Sequence, residues 1–340
     1  MAKVNLLTIH WGLSYGAIMQ TYATSKLLEE SGHKVSVINI IPNRERGNYS
    51  LPRWIILSAM RFQFWFFKKK YFPNLTKKMR RVDRHMIRIS DYDVVGSDQV
   101  WNREITAPIE LSFYLDFDDC PKKVSLASSF GKSSWTEDAS YTTKVLSCLK
   151  KFTAISVREE TGKKILKENF GLNSEVLIDP TLAYGHFSDL VLHDIPSSKA
   201  YTFFVSEKNK YDSIVDYIVK DKKMELMKHS KFSYYFTNGP RNWLTYIKNA
   251  AYVITDSFHG VAFSLIFQKE FYVLCGDRSK FTRITNLLGR LGLEDRIIDS
   301  IEDYEFKKNL FQKPINYQPI NEILRLEKNR YREFVSQHIH

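Results

Sequence analysis

The 340-residue chain is poor in cysteine, and its three examples, Cys120, Cys148 and Cys275, stand far apart. Such spacing makes neither a disulfide framework nor a zinc site, so no metal is expected and a reducing, cytoplasmic setting fits. No run of about 18 apolar residues occurs, which argues against a membrane-spanning helix. The opening MAKVNLLTIHWG has one lysine before a very short apolar run and reads as a first strand rather than a secretion signal. The GxGxxG fingerprint is missing from the first strand–helix turn, so no dinucleotide is implied. Low-complexity tracts are absent too. So are the helix-turn-helix, RNP-like and zinc signatures of nucleic-acid readers, and no nucleic-acid partner is expected.

What the chain does contain is apolar and basic. It is 44% hydrophobic, with 23 Phe, 19 Tyr and 6 Trp, enough for the cores of two ordinary domains. Its formal charge of +12 is spread along the sequence. That balance suits anionic partners: phosphorylated or carboxylated small molecules, acidic lipid, or nucleic acid.

Strand and helix patterns alternate twice. Short β-branched runs near residues 4–9, 35–41, 92–95, 124–127, 154–157 and 176–178 are separated by helical periodicity, most clearly over 17–31, where Gly32 is placed to end the helix. After a Gly-, Pro- and Ser-bearing linker at 184–199, a second set follows, with strands near 200–205, 225–228, 252–255, 271–274 and 296–298. This predicts an α/β fold of two Rossmann-like domains, 1–183 and 197–315, followed by a terminal helix within 316–340. A cleft between two such domains is the expected ligand site. The first domain carries an aromatic and basic insertion at about 44–88. Its segment WIILSAMRFQFWFFKKKYF reads either as an interfacial segment against an anionic membrane or as a buried helix with a solvated basic end.

The second set centres on AYVITDSFHGVAFSLIF, residues 251–267. A buried strand, a turn holding Asp256, Ser257, His259 and Gly260, and a helix put backbone N–H groups and a positive dipole end at a sheet edge, which suits an anion. Asp256 reads as a helix cap. Strand ends in the first domain carry GSDQVWN (96–102), SFG (129–131) and SVREETG (156–162).

Taken in order, YGAIMQTYA (15–23), GSDQVWN, SFG, SVREETG, IDPT (178–181) and ITDSFHGVAFSLIF (254–267) resemble the polysaccharide pyruvyl transferase family over most of the chain. One departure is Ser257, where several characterised relatives carry an arginine two residues before the histidine. The resemblance implies a glycosyltransferase-B-like architecture. It also implies transfer of the pyruvyl group of phosphoenolpyruvate to two hydroxyls of a sugar, forming a cyclic ketal with no cofactor. The acceptor expected is a galactose-type residue of a lipid-linked surface-polysaccharide repeat unit, met by a peripheral protein at the cytoplasmic membrane face.

Under that reading His259 is the acid/base candidate, because imidazole titrates near neutral pH. Arg158 matches the family's donor-binding arginine. Ser257 and Gly260 offer hydroxyl and backbone contacts to the same anion, and Arg278 and Arg283 are further cations for it. Asp98 is the candidate base for the sugar hydroxyl. Tyr15, Gly16, Gln99 and Trp101 are candidates for acceptor binding, Trp101 by stacking. Asp179 is expected to shape an interdomain hinge. Two other readings remain open: a nucleotide-sugar glycosyltransferase on the same fold, and a basic binding module for nucleic acid.

Overall fold

Parallel sheets need apolar residues on both faces of each strand, because helices cover both sides. The computed structural model describes residues 1–42, 51–117, 122–206, 210–227, 238–276 and 281–340, with backbone only at 51–56 and 84. It contains two sheets, and every strand pairing in both is parallel. The chain divides into two compact units, Met1–Tyr184 with Arg325–His340, and Gly185–Leu324.

In the first unit, strands β1 (Lys3–Leu7), β2 (Lys34–Val37), β3 (Tyr92–Val95), β4 (Lys123–Ser128), β5 (Phe152–Val157) and β6 (Glu175–Val176) lie in the order β2-β1-β3-β4-β5-β6. The chain turns to β2 on one side of β1 and to β3 on the other. The carboxyl ends of β1 and β3 therefore flank a topological switch point, where open parallel sheets bind ligands. The helix Tyr15–Glu30 ends as its sequence suggests: Gly32 has φ 85°, and the N–H groups of Gly32 and His33 return to the carbonyls of Glu29 and Leu28 at 2.9 and 3.1 Å. This is the Schellman arrangement that satisfies the last carbonyls. The β4–β5 pairing is interrupted by a register shift between Ser125 and Ser128, where Ala127 adopts φ 53°.

In the second unit, β7 (Ala200–Phe203), β8 (Tyr252–Thr255), β9 (Glu270–Leu274) and β10 (Ile297–Ile298) follow in simple order. The strand expected near 225–228 reduces to one parallel bridge, Leu226 to Ala200, on the free edge of β7, and Lys228 lies outside the described residues. β7 thus has Leu226 on one side and β8 on the other, which makes its carboxyl end the switch point of this unit. The helix Tyr317–His338 is divided by the unit boundary. Its second half and the residues after it bury Tyr331, Phe334, Val335 and Ile339.

Candidate functional site

At the switch point of the second unit, β7 runs into Val205 and Ser206, and β8 runs into Asp256 and Ser257. Asp256 is buried, and its two carboxylate oxygens accept the N–H groups of Val205 and Ser206 at 2.6 and 2.9 Å. This corrects the expectation of Asp256 as a helix cap: it ties the two strand ends together. The cap is Ser257, whose hydroxyl accepts the Gly260 N–H at 3.3 Å and whose own N–H reaches Thr255 Oγ1 at 3.0 Å. Both donor contacts expected of Ser257 and Gly260 are thus engaged in holding the start of the helix Phe258–Ile266. Gly260 is required there, since a Cβ would collide with the Thr255 side chain.

Next to this turn lies a cavity of about 260 Å³, lined by Val205, Ser206, Lys210, Asp256, Phe258, Phe281, Arg283 and Ile284. Its charge comes from Lys210 and Arg283 opposed to Asp256, whose oxygens already receive two N–H groups. Lys210 is held in its charged form by the Tyr211 hydroxyl and, more weakly, by the charge of Asp256. The Arg283 guanidinium sits 5.9 Å from the centre of the Phe258 ring, within cation–π range. His259 is half-buried at the second position of the helix, its ring edge-on to Phe258 at 5.3 Å. It neighbours the cavity through Phe258 and is not among its lining residues. Arg278 lies outside the described residues.

The first unit gathers a different set of groups where β3, β4 and β5 end. Asp98 adopts φ 83°, a conformation non-glycine residues reach at a cost that functional sites often carry. Its carbonyl accepts the Ser129 N–H at 3.0 Å, and its carboxylate accepts the Gln99 N–H at 2.8 Å. Arg158 is buried. Its Nη1 donates to Asp179 at 2.8 Å, and its Nε lies 3.6 Å from Glu159. Burial pulls its pKa down, but the charges of Asp179, Glu159 and Asp98 outweigh this and raise it. Asp179 also accepts the backbone N–H and the hydroxyl of Thr181 at 2.9 and 2.6 Å. The guanidinium of Arg158, the expected donor-binding cation, thus faces Asp179 through Nη1 and Glu159 through Nε, and Asp179, expected to shape a hinge, anchors that pair.

The expected acceptor residues fare unevenly. Trp101 is 2% exposed, stacked on Tyr114 at 5.6 Å, with its indole N–H bound to the Phe113 carbonyl at 2.9 Å. It is a core residue and has no face for a sugar. Gly16 is also buried, within the first turn of its helix. Tyr15 is half-buried with its ring 5.2 Å from Phe64. Gln99 is partly exposed. Its oxygen takes the Asn102 amide at 3.0 Å, and its side chain lies against Gly131, where φ is 65° and a Cβ would collide with it.

The structure adds groups that the sequence reading passed over. Lys210 follows the first strand of the second unit, and that position was the signal. His10 stands just past β1 at the other switch point, fully buried, with Nδ1 2.9 Å from the Thr8 carbonyl and Nε2 3.2 Å from Asn39 Oδ1. Burial, and then the charge of Lys68, lowers its pKa to about 4.

Among solved structures the chain is similar to a UDP-GlcNAc 2-epimerase from Methanocaldococcus jannaschii, at 12% identity and TM-score 0.48 over 95% of this chain and 99% of that one. It is also similar to S. aureus MnaA in its co-structure with UDP, at 10% identity and TM-score 0.49 over 100% and 96%. A third is Arabidopsis thaliana UGT89C1 complexed with UDP-L-rhamnose, at 11% identity and TM-score 0.45 over 98% and 93%. These likenesses concern the fold alone. A search of curated proteins finds no match. The family model for polysaccharide pyruvyl transferases matches residues 15–275, and the chain belongs to that family.

Proposed function

We propose that the protein transfers the pyruvyl group of phosphoenolpyruvate to two hydroxyls of one sugar, closing a cyclic ketal and releasing phosphate. The observation that carries this reading is the 260 Å³ cavity at the switch point of the second unit, with Lys210 and Arg283 on its wall beside a histidine-bearing helix start. Phosphoenolpyruvate carries a phosphate and a carboxylate, and two cations with a positive dipole end match that charge.

The chemistry needs two proton movements and no redox step. The methylene carbon takes a proton, which leaves an oxocarbenium-like centre at C2. One sugar hydroxyl adds to C2, the C2–O bond to phosphate breaks, and the second hydroxyl closes the ring. Of the two hydroxyl protons, one balances the proton taken by the methylene and one leaves with phosphate. His259 serves as the acid/base group, its imidazole standing at the helix start beside the cavity. Lys210 and Arg283 hold the phosphate or the carboxylate. Asp98 is the carboxylate proposed to take the acceptor's proton. The proposed acceptor is a galactose-type sugar of a lipid-linked repeat unit. Arg158 acts at one remove, fixing Asp179 and Glu159.

The test is phosphate release from phosphoenolpyruvate in the presence of synthetic or lipid-linked galactosides. His259→Ala is expected to lower the rate by about 10²–10⁴-fold while leaving the melting-temperature rise given by phosphoenolpyruvate. Lys210→Ala or Arg283→Ala is expected to weaken that rise, consistent with loss of roughly 1.5–3 kcal/mol of charged hydrogen bonding. A rise with UDP-sugars and none with phosphoenolpyruvate would instead assign the cavity to a nucleotide-sugar donor.

A further inference from the structure

The helix Leu51–Tyr71 has two faces of opposite fate. Phe64 and Phe67 are buried, their rings 5.2 Å from Tyr15 and 6.2 Å from Tyr22. Phe62, Trp65 and Phe66, at helical spacings of three and four, point the other way and are 61%, 53% and 52% exposed. Their rings adjoin one another, with Phe62 5.7 Å from Trp65 and 6.4 Å from Phe66. Over the described side chains, residues 57–71, the helix is thus held by one face, and these three rings on the other stay more than half exposed. Contiguous exposed rings of this kind mark an interaction surface.

The surrounding charge selects the partner. Residues 51–82 contain no aspartate or glutamate. Arg61, Lys69 and Lys70 are exposed on the same helix, and Lys77, Lys78, Arg80 and Arg81 are exposed just beyond it. Two copies of the chain meeting through this face would bring those cations together, which disfavours a self-contact. Aromatic rings flanked by lysine and arginine fit the boundary between headgroups and acyl chains, where the rings enter and the cations meet anionic lipid. Among the described residues no helix is long and apolar enough to cross a membrane, so the contact would lie on the surface.

We propose that the Phe62–Trp65–Phe66 face, with the cations of residues 61–81, docks this protein on the surface of an anionic lipid bilayer. The inference rests on this helix and is independent of the transfer chemistry. Its test is co-sedimentation of the full chain with vesicles of phosphatidylcholine alone and of phosphatidylcholine mixed with phosphatidylglycerol. Binding to the mixed vesicles, reversed by salt, is expected. Lys69→Glu with Lys70→Glu should weaken it by about tenfold or more, since each cation near such a surface contributes about 1 kcal/mol. Phe62→Ser, Trp65→Ser and Phe66→Ser together should weaken it at least as much, with the melting temperature retained because these side chains are exposed. Brominated acyl chains should quench the wild type more than Trp65→Phe. No sedimentation with anionic vesicles, or sedimentation that neither set of changes reduces, would overturn the proposal. Self-association lost in the aromatic variant, without vesicle binding, would overturn it in favour of a second copy.

Discussion

Gly260 and His10 show how much single positions decide. At Gly260 the helix start packs so closely on β8 that a methyl group would strike Thr255. Gly260→Ala is therefore expected to cost about 1–3 kcal/mol by overpacking, read as a lower urea midpoint with the m-value unchanged. His10 is held neutral by burial, its pKa lowered from 6.5 to about 4. Because the unfolded chain binds this proton first, its contribution is intact above about pH 6.5 and is lost as pH falls toward 4, worth about 3 kcal/mol. Stability measured across that window should fall in the wild type, and His10→Asn should lack this component of the fall. Neither effect was visible in the sequence. The collision at Gly260 depends on a strand residue five positions earlier, and His10 gave no sign of its burial by chain 29 residues away at Asn39.

Whole elements were more legible than their side-chain partners. Buried parallel strands have to be apolar on both faces, so runs such as YVIT and FYVL announced β8 and β9, and Gly32 marked the end of its helix. What stayed hidden were pairings across long stretches of sequence. Arg158 and Asp179 are 21 positions apart, and nothing local distinguishes a guanidinium aimed at a carboxylate from one aimed at a ligand. Trp101 failed for a related reason: its stacking partner, Tyr114, belongs to a 3₁₀ turn with no periodic signature. Breaking the ion pair tests its anchoring role. Asp179→Asn leaves a buried guanidinium short of a carboxylate and should cost roughly 3–5 kcal/mol in chemical denaturation. Under the proposal that Arg158 acts at one remove from the donor, the melting-temperature rise given by phosphoenolpyruvate should survive in Arg158→Lys.

On the scale of the molecule, the second unit is one continuous stretch, Gly185–Leu324, while the first is built from both ends of the sequence. Tyr331 lies among the first unit's buried groups, its hydroxyl pKa raised by burial and then by the charge of Asp179. Lys328 reaches the Tyr184 carbonyl at 3.1 Å. Removing residues 325–340 should therefore expose the apolar surface that Tyr331, Phe334, Val335 and Ile339 cover, at roughly 1.5–3 kcal/mol for each aliphatic or aromatic side chain. Circular dichroism melts of the truncated protein should show the first unit destabilised, with the cooperative melt of the second retained. The same return of the chain has a topological meaning. The chain crosses between the units twice, at 184–185 and at 324–325, and the first unit clasps the tail that returns from the second. If the backbone were cut in the exposed stretch 193–198, the two pieces would remain one particle in native buffer and separate only in detergent, as a split protein whose halves recognise each other.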